Sequence, residues 1–168
     1  MFTTKDKKIE PLTFRNAMSH FAEAVHILTT DGPAGRRGVT ISAVCSVSDD
    51  PATMLVCLNR KHESNHLFIE NQVFAINTLS FQQRALSEAF SGKGELSQAD
   101  RFALASWHTV QTGAPVLTDA LASFDCRIID THEVATHYVI YGKVTAINTG
   151  KFDSSLIYLN RDYHRVID

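Results

Sequence analysis

From Val39 to Ser48 apolar and polar positions alternate almost without error. Val39, Ile41, Ala43, Cys45 and Val47 fall on one side, and Thr40, Ser42, Val44, Ser46 and Ser48 on the other. A period of two predicts a half-buried strand, here with a polar side unusually rich in hydroxyls. Residues 12–25 have a different period: Phe14, Met18, Phe21 and Val25 recur at spacings of four, three and four, along one face of a helix. After that helix come HILTTD and the turn-rich DGPAGRRG. Asp49, Asp50 and Pro51 form a second turn signal, and the apolar run TMLVCLN predicts a buried strand. Ser64 is placed to cap a short helix through NHLFIEN, and VFAINTL predicts another strand. Ser80, followed three residues later by Gln83, makes a capping box for FQQRALSEAF.

Between residues 91 and 119 the periodicity fades, across a stretch that holds the single tryptophan, Trp107. A segment of that length without a clear period is expected to be a lid or a partner-contacting loop. The last third returns to strands, with ALASFDCRIIDTHEV, THYVIYGKVTAIN and SSLIYLN separated by short polar or glycine-containing turns. About six or seven hairpin-spaced strands with two or three helices predict a mostly β fold, a closed or nearly closed antiparallel barrel. A dinucleotide-binding βαβ unit is disfavoured, because no GxGxxG follows a strand.

Composition narrows the function. The 168 residues, 44% hydrophobic and 20% charged, fit one globular domain that buries about two-thirds of its unfolded surface without staples. Sixteen Lys and Arg against eighteen Asp and Glu leave a formal net charge of -2, so neither a nucleic acid nor a membrane surface is expected as partner. Cys45, Cys57 and Cys126 have neither zinc-site nor disulfide spacing and are expected to be small core thiols of a cytoplasmic protein. The first eleven residues carry charge without an apolar run and are expected to be flexible, with no export signal or membrane span.

No HExxH, GxSxG, P-loop or paired-carboxylate context occurs, which leaves hydrolase and phosphotransferase readings without support. His62 and His66 stand four apart, but no third ligand accompanies them, and no metal site is expected. A chain without its own acid, base or nucleophile suits a bound redox cofactor that holds the chemistry.

Several stretches carry a resemblance in unbroken order from Phe14 to Val166. They are residues 14–68, FAINTLSFQQRALSEAFSG, Asp100-Arg101-Phe102 with Trp107, PVLTDALASFDCRI, THYVIYGKV and LIYLNRDYHRV. Together they resemble the small flavin reductases that supply reduced flavin to two-component aromatic monooxygenases. The subgroups most alike serve 4-hydroxyphenylacetate hydroxylation and pyrimidine utilisation.

The resemblance implies an antiparallel split β-barrel of the FMN-binding type, a homodimer, FMN or FAD as flavin, NADH or NADPH as hydride donor, and a large oxygenase as recipient. It places Gly38, Val39, Thr40, Ile41, Ser42, Ala43, Val44 and Cys45 along the flavin, where small hydroxyls and backbone groups reach the ring's polar edge. The same strand, without the resemblance, reads as a solvent-facing one. Asn59 and Ser64 form the family's second flavin segment, with Ser64 offering a hydroxyl to phosphate or serving only as a cap. Asn77, Phe90, Ser91, Gly92 and Lys93 complete the pocket, with Lys93 or Arg84 offsetting phosphate charge.

His137 falls where the family places a histidine beside the nicotinamide, although Ala135 and Thr136 replace the Gly and Asp usual before it. No side chain is assigned a catalytic proton transfer. Two other readings stay open on the same barrel: a non-catalytic flavin-binding electron carrier, and an oxidase of the pyridoxamine-phosphate type.

Overall fold

The computed structural model describes residues 8–151 and 153–166, the Glu63 side chain apart. Of the eleven residues expected to be flexible, 1–7 lie outside that range. The chain begins with helix α1 (Pro11–Met18), then strands β1 (Glu23–Ala24), β2 (His26–Thr30), β3 (Arg37–Ile41), β4 (Val44–Asp49) and β5 (Ala52–Asn59). Next come α2 (His66–Asn71), β6 (Val73–Thr78), α3 (Arg84–Phe90) and α4 (Gln98–Phe102). Strands β7 (Trp107–His108), β8 (Val116–Leu117), β9 (Ala122–Val134), β10 (His137–Thr149), β11 (Leu156–Leu159) and β12 (Asp162–Arg165) complete it.

Seven strands form one antiparallel sheet in the order β3-β2-β6-β9-β10-β5-β4. Its two edge strands, β3 and β4, are consecutive in the chain and joined only by Ser42 and Ala43. Ile41 and Val44 are three residue steps apart and so at most about 11 Å, and the sheet has to roll until its edges meet. Val39 and Ile41 from one edge and Val44 from the other pack on a common core of Leu28, Val56, Phe68, Phe74, Ile76 and Ile140. This is a barrel interior with a seam at Ser42-Ala43. A second core on the opposite face of β2 joins Val25 and Ile27 to Leu86, Phe90, Phe102 and Leu117, which seats α3 and α4 against the barrel wall.

Several expectations need correction. The helix does not run through residues 12–25: it ends at Met18, and Val25 drops into the second core while Phe14 and Phe21 stay exposed. The tertiary demand that β2 join the sheet overrides the helical period. Residues 39–48 are two strands, not one. The Val44 N–H bonds the Ser42 carbonyl at 2.8 Å, and the kink turns Val44 inward while Cys45 and Val47 face solvent. Cys45 is therefore not a core thiol. Cys57 is half-buried and Cys126 buried; burial raises both thiols, Cys126 to about 12, so neither carries thiolate at neutral pH.

Residues 91–119 are pinned, not a free lid. Phe102, Ala114, Val116 and Leu117 are buried, Trp107 Nε1 donates to the Phe102 carbonyl at 2.9 Å, and the Asp125 carboxylate accepts the Gln111 and Thr112 N–H groups at 2.8 and 2.9 Å. The Ser80–Gln83 capping box forms, with Ser80 N–H bonded to Gln83 Oε1 at 2.9 Å. Ser64 caps nothing: it lies inside a 3-10 turn, Glu63–Asn65, where neither helix start has a side-chain cap.

His26 gives the fold a pH dependence. It is 9% exposed, its Nδ1 lies 3.0 Å from Thr78 Oγ1, and burial lowers its pKa from 6.5 to about 4. A base whose folded pKa is depressed stabilises the fold fully above pH 6.5, and that contribution disappears as pH falls toward 4. The loss amounts to about 3 kcal/mol. Urea titrations of wild type and His26→Gln over this range should differ progressively as pH falls; parallel stability curves would refute the assignment.

Candidate functional site

Beside the seam, β3, α3 and the β11–β12 hairpin enclose a cleft of about 470 Å³, the size of small-ligand sites. Thr40, Ile41 and Ser42 form its floor, with Val25 behind them, and Arg84, Glu88, Ser91 and Lys93 form one wall. Tyr158, Arg161, Asp162 and Tyr163 form the other. The walls hold each other: Tyr163 and Ser87 hydroxyls lie 2.9 Å apart, and Arg84 stacks over the Tyr163 ring at 5.2 Å.

The floor hydroxyls already donate, Thr40 Oγ1 to the Ser87 carbonyl at 2.7 Å and Ser42 Oγ to Glu23 Oε2 at 2.6 Å. Their lone pairs remain to accept from a ligand N–H. Glu88 accepts from Lys93 Nζ at 3.0 Å and from Arg84 Nε at 3.3 Å. The bond from Lys93, and then that from Arg84, holds its carboxyl below the usual range. Three cations and two carboxylates line the cleft, and a third carboxylate, Glu23, is bonded to its floor at Ser42. Acceptor hydroxyls, tyrosine rings and cationic side chains match the groups of a flavin: a planar ring system with an imide N–H and a phosphate tail.

The residues expected along the flavin separate into groups. Thr40, Ile41, Ser42, Ser91 and Lys93 line the cleft together with Arg84. Gly92 is exposed just outside it with φ +99. Val39 and Val44 face the barrel core, whereas Ala43 and Cys45 are exposed at the seam. Phe90 is 1% exposed and edge-packed on Phe102 at 5.2 Å, so it supports the wall from behind.

Asn77 lies wholly inside the protein. Its amide donates to the Ile27 carbonyl at 3.1 Å and accepts from Leu117 N–H at 2.8 Å and Ser123 Oγ at 2.9 Å. That side chain is spent on joining β2, β6, β8 and β9 and presents nothing to a ligand.

Asn59 and His137 are paired across β5 and β10, and neither lines the cleft. Asn65 ties this region together: its Nδ2 donates to the Asn59 carbonyl at 2.8 Å and its Oδ1 accepts from buried Arg37 Nε at 3.1 Å. Burial, and then Arg101, lowers the Arg37 pKa. Ser64, half-buried, sits on the turn so held. The His137 ring nitrogen Nδ1 is 2.9 Å from Thr136 Oγ1. Among the described residues no cluster of His, Cys, Asp and Glu could hold a metal, and no helix is long and apolar enough to cross a membrane.

Rolled barrel and cleft fit a flavin-handling protein, and the chain belongs to the family described as "Flavin reductase like domain", whose profile matches residues 18–166. It is 46% identical over 163 residues to "FMN reductase (NADH) RutF 2" of Methylorubrum extorquens (strain PA1), covering 97% of this chain and 94% of the relative. It is 48% identical over 155 residues to "FMN reductase (NADH) RutF" of Enterobacter sp. (strain 638), covering 92% and 93%. Among solved structures, the styrene monooxygenase flavin reductase (SMOB) of Pseudomonas putida S12 superposes with a TM-score of 0.80 at 27% identity, over 92% of this chain and 97% of that one.

Six contributors to the cleft were missed in the sequence: Val25, Glu88, Tyr158, Arg161, Asp162 and Tyr163. Tyr158 read there as part of a terminal strand, and the other five carried no site signal of their own. Only the pairing of β1 with β11 reveals that the β11–β12 hairpin folds back beside β3.

Proposed function

We propose that the protein is an NADH:FMN oxidoreductase that hands reduced flavin to a separate oxygenase. The cleft carries this reading: it joins an acceptor floor at Thr40 and Ser42 to cations at Arg84, Lys93 and Arg161. The relatives named FMN reductase (NADH) supply the donor and flavin, and the styrene monooxygenase reductase supplies the kind of partner. A flavin held at Thr40, Ser42 and the cleft cations would supply the hydride acceptor for the nicotinamide. The protein's own task is alignment. Thr40 and Ser42 fix the ring edge, Tyr158 and Tyr163 exclude water from one side, and Lys93 or Arg84 offsets phosphate charge, none of which needs a titrating group.

His137, with Asn59 beside it, is proposed to orient the nicotinamide from outside the cleft, and Ser64 to meet a phosphate oxygen. Purified protein mixed with NADH and FMN should consume NADH only when flavin is present. Flavin binding without that oxidation would leave a carrier, and no binding would reject the site.

We also infer a homodimer. Ile9, Leu12, Phe14 and Phe21 around α1 are each more than half exposed, and an apolar patch of that kind marks a docking face. Sedimentation equilibrium should give twice the chain mass; a monomer active at all concentrations would discard this.

A further inference from the structure

Strands β11 and β12 are joined by Asn160 and Arg161 alone, with Leu159 opposite Asp162 as the last pair. Both joining residues are left-handed, at φ +54 and +64, as in a type I′ loop, whose second position strongly favours glycine. An arginine there crowds its own Cβ against the backbone. The side chain does no compensating work in a core, since Arg161 is exposed and lines the cleft.

The loop is fastened so that the arginine is aimed. The Asn160 N–H donates to the Ser19 carbonyl at 2.6 Å, and Arg161 Nη2 donates to Asn16 Oδ1. That partner is neutral and leaves the guanidinium charge uncompensated. The cleft's other cations are engaged, Arg84 with Glu88 at 3.3 Å and Asp162 at 3.8 Å, and Lys93 with Glu88 at 3.0 Å. Among the described residues, Arg161 is in none of the ion pairs with a carboxylate. A planar guanidinium with free N–H groups is matched to the paired oxygens of a phosphate.

We propose that Arg161 binds a phosphate group of the nucleotide in the cleft, and that this binding is why a side chain occupies a glycine position. The proposal rests on the reading of the cleft as a flavin and nicotinamide site. Two sources share the chemistry, the flavin's phosphate and the pyrophosphate of the hydride donor.

The test is fluorescence titration of the full-length protein and its Arg161→Gly variant with FMN, riboflavin, NADH and the phosphate-free 1-benzyl-dihydronicotinamide. Arg161→Gly should weaken FMN about 10-fold and leave riboflavin unchanged if the flavin phosphate is bound. The same loss on NADH but not on the benzyl analogue would identify the donor pyrophosphate. Because glycine relaxes the turn, the variant's melting temperature should rise, by about 2–4 °C, and Arg161→Lys should keep part of the phosphate preference. Equal losses for phosphate-bearing and phosphate-free ligands, unchanged affinities throughout, or a fall in melting temperature would overturn the proposal. These are binding measurements, so a wild type that fails to oxidise NADH defeats the proposed function while the titrations still decide Arg161.

Discussion

Ser42→Leu should bind FMN about 10- to 100-fold more weakly while remaining folded. The side chain lies on the cleft floor, half-buried, and donates to Glu23 Oε2 at 2.6 Å. Removing that bond costs about 1 kcal/mol. Leucine adds bulk where the ring edge would lie, and forced overpacking of this kind costs about 1–3 kcal/mol of binding. Far-UV circular dichroism should stay at the wild-type signal as flavin fluorescence quenching disappears. A variant that quenches FMN at wild-type concentrations would mean that the flavin lies elsewhere.

Gly38→Ala should be damaging for a different reason. A Cβ on Gly38 would lie 2.4 Å from Phe90 Cε1 and 3.1 Å from Phe102 Cζ, two rings locked edge to face with Trp107 at 5.8 and 5.0 Å. None of these three can yield without moving the others, so a stability loss of about 1–3 kcal/mol is expected. Phe90 is followed by Ser91 of the cleft wall, so FMN affinity should fall together with the urea midpoint. A midpoint at the wild-type value would show that the wall is soft. Phe102→Leu in the same background should recover part of the loss by vacating ring volume, which ties the effect to this packing.

Strands bounded by local turn signals were legible in the sequence. β5 and β6 lie near their expected positions because each is a short apolar run between turns, with Val56 and Phe74 wholly inside, and the β9–β10 pair because short polar turns bound its strands. The capping box at Ser80 was legible because its bonds are local. What escaped was set by distant closure. The alternation through Ser42 continues on paper, but the two edge strands have to meet there, and the kink reverses which of Val44 and Cys45 turns inward.

For the site, the hydroxyl face was readable from Thr40 and Ser42. The opposite wall was not, because Tyr158 and Arg161 reach the cleft only through the fold-back of the C-terminal hairpin. Asn77 shows the converse: a polar residue in a ligand-binding family reads as a contact, yet its amide is consumed in joining four strands.

The seam at Ser42-Ala43 bears on motion. β3 and β4 each pair on one side only, β3 with β2 and β4 with β5, so the barrel wall has a slit crossed by a single covalent hinge. Amides on such free edges exchange with solvent through small local openings, whereas those in β6 and β9, paired on both sides, wait for larger ones. A ligand lying across Thr40–Ser42 would act as a clasp on that slit, and its arrival would be felt as stiffening of the whole cylinder from its weakest line.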